Sequence, residues 1–175
     1  RLRLEIEMKK KEKLNYIVPI LFLLYLALLI WIILFKLQFS ILDLDRVREI
    51  NLIPFYYEHE VTFHAAEVLQ NVLIFMPFGI YMCLLFPKSR FGVKLLLISV
   101  VSLLLEICQY ALEIGRSDIT DLISNICGGL FGIILYKAAI RLFRNKKRVD
   151  QVIIVSAAIV TVVVGGGLLL LLTAN

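Results

Sequence analysis

The sequence lacks the motifs that identify the common nucleophilic and nucleotide-binding enzymes. It contains no Gly-x-Ser-x-Gly nucleophile turn, no phosphate-binding loop and no dinucleotide-binding fingerprint. It also lacks a long polar stretch that would form a separate soluble module, and its 175 residues amount to one domain. The sequence therefore gives no support to these enzyme classes or to a second, soluble domain.

Cysteine and histidine are few, and their positions do not suggest chemistry. Cys83, Cys108 and Cys127 each fall inside an apolar segment, which argues against both a disulfide framework and a metal-ligand pattern. His59 and His64 lie in an acidic stretch without diagnostic spacing, so we expect solvated surface side chains. Neither a metal site nor a cofactor is predicted.

Hydrophobic sequence is what the chain has in excess. Hydrophobic residues make up 61% of it and the mean hydropathy is +0.90, well above the apolar share of an ordinary soluble domain. The net charge of +5 does not indicate nucleic acid, because the basic residues cluster beside apolar segments, as membrane topology requires. We predict an all-α fold, a polytopic transmembrane helix bundle with about five spans.

The apolar runs divide the chain into a basic tail at 1–15, a membrane domain at 16–150 and a fifth span within 151–175. The first four spans are expected at about 16–35, 71–86, 94–114 and 122–142. The first run is too long for the core of a signal peptide and lacks a small-x-small cleavage site, so it is interpreted as a retained helix.

Three shorter features separate or interrupt the first two spans. Residues 50–57 are apolar, aromatic and too short to span, which predicts an interfacial or re-entrant segment with its aromatic rings at headgroup level. Residues 61–70 have helical periodicity and are expected to lie along the membrane surface. Pro77 falls in the middle of the second span and predicts a kink or local unwinding.

The distribution of lysine and arginine predicts the orientation. Of the 19 basic residues, six lie in 1–15, three in 88–94 and six in 137–148, whereas Lys36, Arg46, Arg48 and Arg116 lie on the other side. This alternation is a positive-inside pattern. We predict a multi-pass plasma-membrane protein with a cytoplasmic N-terminus and an outside C-terminus.

The one polar cluster among the apolar segments lies at residues 106–125. Glu106, Gln109, Tyr110 and Glu113 follow the i, i+3, i+4, i+7 spacing, so they are expected to form one stripe of the third helix. Glu106 would lie roughly 13 Å below the turn at Gly115, where a carboxyl group facing lipid is very costly. Two interpretations stay open: a functional site, or a pair of side chains that bond across the bundle for packing alone.

The start of the fourth helix extends this cluster. Gly115 is expected to permit the tight turn, and Asp118 and Asp121 are placed to cap the helix. Either a structural collar of salt bridges through Arg116 or a site for a polar ligand would explain the arrangement. Nine residues are candidates for ligand binding: Asn71, Glu106, Gln109, Tyr110, Glu113, Arg116, Asp118, Asp121 and Asn125.

Glycines mark two further places. Gly128, Gly129 and Gly132 contain a Gly-x-x-x-Gly spacing, which favours close helix packing. The triplet Gly165-Gly166-Gly167 in the last span is compatible with a hinge or with a packing notch.

Five motifs occur in order along the chain: Leu-Phe-Lys-Leu-Gln at 34–38, Asn-Leu-Ile-Pro-Phe at 51–55, Asn-Val-Leu-Ile-Phe-Met-Pro-Phe-Gly at 71–79, Glu106-x-x-Gln109, and Gly-x-x-Asp-Ile-Thr-Asp-x-x-x-Asn-x-x-Gly-Gly at 115–129. Together they resemble the VanZ family over roughly residues 16–160. The resemblance implies a polytopic bacterial membrane protein associated with resistance to teicoplanin, a glycopeptide that carries an acyl chain. It brings no catalytic residues with it.

Three hypotheses for the function follow. We favour a non-enzymatic protein that binds an amphiphile, either teicoplanin or a lipid-linked wall precursor, at the outward polar cluster. The second is a membrane enzyme that uses Glu106 or Asp121 as general acid or base. The third is a small transporter or flippase. Membrane lipids are expected partners, nucleic acid is not, and homo-oligomerisation is left open.

Overall fold

Five long helices make up almost all of the part of the chain that the structure describes. The structure is a computed structural model and describes residues 2–35, 47–55 and 61–174. In chain order its elements are α1 (Leu2–Phe35), β1 (Val47–Asn51), α2 (Val61–Leu85), α3 (Phe91–Leu112), β2 (Ile114–Asp118), α4 (Ile119–Phe143) and α5 (Lys146–Ala174). The prediction of an all-α bundle is confirmed, with one short pair of strands added to it.

Each of the five helices contains a segment long and apolar enough to cross a membrane. These segments are Tyr16–Leu34, Ala65–Leu85, Phe91–Leu112, Ile119–Phe143 and Lys146–Gly167. Helices are favoured there because a bilayer offers no water to bond free backbone groups. The chain is accordingly a multi-pass membrane protein.

The helices differ from the expected spans mainly at their ends. The basic tail continues directly into the first span as part of α1, and the region 61–70 is the first part of a single α2 rather than a separate surface helix. The helical backbone of α2 also continues through Pro77, so the predicted local unwinding is wrong. A kink at Pro77 stays a prediction. Of the segment 50–57, predicted to be interfacial or re-entrant, residues 50 and 51 end β1 and residues 53–55 form a bend and turn. Tyr56 and Tyr57 lie outside the described residues, and the position of the segment relative to the membrane stays a prediction.

The helices alternate in direction, so the bundle has two chemically different ends. At one end, the basic end, Cys83 of α2 contacts Lys94 of α3 and Tyr136 of α4 bonds Asp150 of α5. At the other, the polar end, the last turn of α1 meets the last turn of α3, and the third turn of α2 meets the start of α4. The predicted polar cluster therefore lies at the end opposite the basic loops.

Glycine allows α2 and α4 to pack backbone against backbone. A Cβ atom at Gly79 would collide with the main-chain oxygen of Gly129, and one at Gly132 would collide with that of Met76. One at Gly128 would collide with the main-chain oxygen of Val72. The close packing predicted from the Gly-x-x-x-Gly spacing is confirmed.

The core of the bundle surrounds α2. Phe75 and Phe78 are 0% and 1% exposed and pack with buried residues of α1, α3 and α4. The hydroxyl of Tyr25 donates to the main-chain oxygen of Ile74 at 2.7 Å, in the turn before Pro77. That bond supplies a donor near the place where proline removes one. α5 is peripheral, since among its described side chains only Val149 and Ile154 are buried.

Candidate functional site

A parallel pair of strands anchors the loops at the polar end. β1 pairs with β2 in a register that places Asn51 opposite Asp118. The Asn51 Nδ2 donates to Asp118 Oδ2 at 2.9 Å, and the Asn51 Oδ1 accepts from the main-chain N–H of Ile53 at 3.1 Å. The N–H of Phe55 then donates to Thr120 Oγ1 at 3.1 Å. Residues 51–55 are thereby fixed to the start of α4.

Asp118 is the N-cap of α4, as predicted. Its Oδ1 accepts from the N–H of Thr120 at 2.8 Å, while its Oδ2 holds Asn51. The turn before it differs from expectation. The residue in the left-handed conformation is Glu113, with φ 58°, which caps α3 at its C-terminus. Gly115 instead lies in β2, so the tight turn does not depend on it.

Glu106 lies inside the bundle, and it binds the loop rather than lipid. Its side chain is 4% exposed, and its Oε2 accepts from the N–H of Asp118 at 3.0 Å and from Ser117 Oγ at 3.2 Å. The carboxylates of Asp118 and Asp121 both lie within electrostatic range of it. A buried carboxylate that accepts two hydrogen bonds fixes the path of the chain between α3 and α4.

Gln109 and Asn125 tie neighbouring helices together and leave one acceptor each. The Gln109 Nε2 donates to the main-chain oxygen of Ile33 in α1 at 3.1 Å, and the Asn125 Nδ2 donates to Ser102 Oγ at 3.0 Å. Gln109 Oε1 and Asn125 Oδ1 are buried without a hydrogen-bond donor from the described residues. Buried acceptors are normally satisfied, so a water or a polar group of a ligand suits both positions.

Asn71 and Asp121 form the more accessible part of the polar end. The Asn71 Nδ2 donates to Asp121 Oδ1 at 2.8 Å and joins the third turn of α2 to the start of α4. Both residues are only partly buried, as are Tyr110 and Glu113. For Arg116, the structure describes the backbone, which lies in β2 opposite Glu49, and not the side chain.

Eight of the nine candidate residues, all except Arg116, therefore fall into two layers at one end of the bundle. The inner layer consists of buried side chains, whose printed bonds hold the protein together: Glu106, Gln109, Asp118 and Asn125. The outer layer consists of partly exposed side chains: Asn71, Tyr110, Glu113 and Asp121. The predicted stripe is shorter than expected because α3 ends at Leu112, which leaves Glu113 beyond the helix.

No metal centre emerges among the residues that the structure describes, where no group of three or more His, Cys, Asp or Glu side chains is arranged to hold an ion. His59 lies outside those residues, and His64 is described only by its backbone in α2. The prediction of solvated histidines is thus untested.

Comparison with known proteins identifies the family. The family model described as VanZ/LLP1 matches residues 22–144, from the middle of α1 to the end of α4. Protein VanZ of Enterococcus faecium is 41% identical over 132 residues, which cover 74% of this chain and 79% of that protein. The chain belongs to the VanZ family. No solved structure matches it.

The VanZ match includes the whole polar end, but it stops before α5 begins at Lys146. Both layers of the candidate site therefore lie in the part of the chain that the family model covers. α5, with its glycine triplet, lies outside that part.

The sequence did not predict some residues of the candidate site in this VanZ-family protein. Asn51 is a central one, since it binds both Asp118 and Ile53; the sequence signal was its place in the Asn-Leu-Ile-Pro-Phe motif at 51–55. Ser102 was also missed, although it lies four residues before Glu106 and hence on the same helix face. Thr120 likewise had its place in the motif at 115–129 as a signal, whereas Ser117 falls at one of the unspecified positions of that motif.

The bonds of Asn51 lead to a testable prediction. Replacing Asn51 by alanine removes the donor to Asp118 and the acceptor for Ile53, and we expect a loss of about 1–2 kcal/mol in the free energy of unfolding. The loop at 51–55 should also become more accessible to protease in lipid nanodiscs. Leu52→Ala is the matched control, because Leu52 is 73% exposed. If both variants melt and cleave alike, Asn51 does not anchor the loop.

Proposed function

We propose that this VanZ-family protein binds an amphiphile at the polar end of the bundle and thereby contributes to resistance to glycopeptides such as teicoplanin. The amphiphile is either the lipoglycopeptide itself or a lipid-linked wall precursor. Its polar part meets the outer layer of side chains, and its apolar part lies among the helices. The positive-inside pattern supports an orientation in which this end faces outside the cell and the N-terminus lies in the cytoplasm.

The two-layer arrangement of the polar end is the observation that carries the proposal. Asn71 and Asp121 are partly exposed and hydrogen-bonded to each other at 2.8 Å, so they offer a carboxylate and an amide in a fixed relation. Beneath them the buried bonds of Glu106 and Asp118 hold the start of α4 in place. A preorganised surface of acceptors suits a ligand rich in hydroxyl, amide or ammonium donors.

Apolar surface beside the polar end suits the other half of an amphiphile. Leu52 is 73%, Ile53 58% and Phe55 57% exposed, and all three belong to the loop that is fixed to Asn51, Asp118 and Thr120. Because α4 begins at Ile119, this loop lies at the depth where the fourth span enters the membrane. Exposed apolar side chains at that depth favour contact with the lipid interface.

The enzyme hypothesis receives less support from the same geometry. A general acid or base must come within hydrogen-bonding reach of the reacting group. Glu106 is 4% exposed, and its Oε2 already binds the N–H of Asp118 and the hydroxyl of Ser117. For the transporter hypothesis, no specific observation in the described residues stands in its favour.

The test uses the purified protein in lipid nanodiscs, titrated with teicoplanin and, separately, with a lipid-linked wall precursor. Asp121→Asn keeps an oxygen that accepts the bond from Asn71 but removes the negative charge. Because hydrogen bonds to charged groups contribute about 1.5–3 kcal/mol, we expect at least about tenfold weaker binding of the true ligand. The double variant Asp121→Asn/Arg116→Ala tests in addition whether Arg116 in β2 contributes to binding.

Glu67→Gln is the matched control, since Glu67 is an exposed acidic residue near the same end of α2. It should bind as the wild type does. Equal affinity of the wild type and a correctly folded Asp121→Asn for both probes would reject this site, and binding of neither probe by the wild type would reject the proposal.

A further inference from the structure

Three lysines from three helices come together at the basic end of the bundle. Lys94 of α3, Lys137 of α4 and Lys146 of α5 all lie within electrostatic range of Cys83, which belongs to the last turn of α2. The Nζ of Lys94 is 3.9 Å from the sulfur. These three side chains, the lysine cluster, therefore concentrate positive charge in one region between the helices.

Lys94 is a buried cation without an acidic partner. It is 6% exposed, and among the residues that the structure describes no carboxylate forms an ion pair with it. The sulfur of a cysteine is a weak hydrogen-bond acceptor, and a buried charge is strongly unfavourable unless it is paired. An anion from outside the protein would supply the missing partner.

The acidic groups near the lysine cluster do not balance its charge. Asp150 is the single acidic residue in the sequence from 122 to 150, and residues 87–105 contain none. The carboxylate of Asp150 accepts from Tyr136 and is paired with Lys146. Lys137 has its Nζ over the ring of Phe91, 5.2 Å from the centroid. The cluster thus combines three ammonium groups with one carboxylate that is already engaged.

The lysine cluster lies close to the depth of the lipid headgroups. α3 begins at Phe91, so Lys94 is three residues, roughly 5 Å, from the start of the span. The side chains of a helix lean toward its N-terminus, which for α3 is the basic end. Phe86 and Phe91 are each 43% exposed, and Phe143 is 64% exposed. Apolar surface that suits acyl chains therefore adjoins the charged groups.

We propose that the lysine cluster binds the phosphate of an anionic phospholipid from the leaflet at the basic end. The phosphate provides the counter-charge that Lys94 lacks, and the acyl chains lie against the exposed phenylalanines beside it. Basic pockets between transmembrane helices bind anionic headgroups on the same physical grounds. This lipid site lies at the end opposite the candidate site and does not depend on the proposed function.

The experiment measures the binding of phosphatidylglycerol to the full chain, purified in a neutral detergent, through the shift in its unfolding temperature. Phosphatidylcholine with the same acyl chains is the reference lipid, because its choline group cancels the charge of the phosphate. Inorganic phosphate is titrated separately and distinguishes a free phosphate from a lipid-bound one. The salt concentration is about 0.15 M, at which exposed charges more than about 8 Å apart are largely screened.

We expect the wild type to be stabilised by phosphatidylglycerol and much less by phosphatidylcholine or inorganic phosphate. Lys94→Met removes the ammonium group but keeps an unbranched side chain, and it should bind phosphatidylglycerol at least about tenfold more weakly. Lys88→Met is the matched control, since Lys88 is an exposed lysine in the turn before α3 and lies outside the cluster. It should stay within about twofold of the wild type.

Equal losses in Lys94→Met and Lys88→Met would mean that general attraction to the basic end explains the binding, and would overturn the inference. Equal stabilisation of the wild type by both lipids, or by inorganic phosphate at the same concentration, would do so as well. Lys137→Met changes an exposed side chain and so tests the cluster without disturbing buried packing. It should weaken phosphatidylglycerol binding more than Lys88→Met does.

A second measurement locates the headgroup without relying on affinity. A phosphatidylglycerol with a photoactivatable group on its glycerol headgroup should crosslink to peptides that contain Lys94 or Lys137. Excess unmodified phosphatidylglycerol should suppress the product, and excess phosphatidylcholine should not. Labelling spread evenly over all the basic segments would contradict the inference.

Discussion

Replacing Gly132 by alanine is expected to destabilise the protein by about 1–3 kcal/mol, although the change adds only one methyl group. That methyl group would collide with the main-chain oxygen of Met76 in α2, and it would also lie close to the Cα of Gly79. Backbone atoms cannot rotate away as a side chain can. The two central helices must therefore move apart, and the contacts around Phe75 and Phe78 loosen with them. The measurement is thermal unfolding of the purified protein in detergent.

Gly166→Ala is the control with the same chemical change. A Cβ atom at Gly166 meets nothing within 4 Å, and alanine has a higher helix propensity than glycine by about 1 kcal/mol. This variant should consequently be as stable as the wild type or slightly more stable. Equal effects of the two substitutions would mean that α2 and α4 do not approach each other as closely as described.

The second large effect is expected at Glu106. Glu106→Ala removes the acceptor for the N–H of Asp118 and for the hydroxyl of Ser117, and leaves both donors without that partner. An unsatisfied buried donor costs about 1–3 kcal/mol, so we expect a loss of at least about 2 kcal/mol. The loop between α3 and α4 should also lose protection from hydrogen exchange. Glu106→Gln retains an oxygen at this place and should stay within about 1 kcal/mol of the wild type.

Measuring teicoplanin resistance in cells distinguishes two roles for Glu106: an acceptor that positions the loop, and an acid that supplies a proton in a reaction. If its carboxylate serves only as an acceptor that positions the loop, Glu106→Gln supports resistance and Glu106→Ala does not. An enzyme that needs a proton from this group predicts that both variants fail. Ile107→Ala controls for substitution within α3, since Ile107 is 52% exposed on the lipid side. Failure of a stably folded Glu106→Gln would revive the enzyme hypothesis.

Most of the buried polar groups at the polar end stabilise the fold. The two interpretations of the cluster, as bonds across the bundle or as a binding site, apply to different residues in it. Gln109 bonds Ile33 and Asn125 bonds Ser102, so both join helices. Asn71 and Asp121 are also bonded to each other, but they remain partly exposed. A ligand that approaches this end meets the outer residues first.

The basic end contrasts with this arrangement. Tyr136 donates to Asp150 Oδ1 at 2.7 Å, and Lys146 contacts Asp150 Oδ2 at 2.5 Å. The first of these bonds joins α4 to α5 across a short connection, and the second lies within the first turns of α5. Lys94 is 6% exposed and lies 3.9 Å from the sulfur of Cys83. The contacts hold the helices at this end and leave the candidate site wholly at the other.

The sequence by itself determined the number and approximate positions of the spans and the residues of the polar cluster. It also indicated the close contact between glycine-bearing helices and the family. Each of these is a local property, because a bilayer imposes helix wherever about 20 apolar residues follow one another. Hydropathy and short motifs are therefore enough to find them.

Only the tertiary structure decided which polar group binds which. Asn51 bonds Asp118 over 67 residues and Gln109 bonds Ile33 over 76. β1 pairs with β2 although two whole spans, α2 and α3, lie between them in the sequence. The tertiary structure likewise places the left-handed backbone conformation at Glu113 instead of Gly115. Such partners depend on how segments distant in the sequence pack together, and no local pattern of residues predicts that packing.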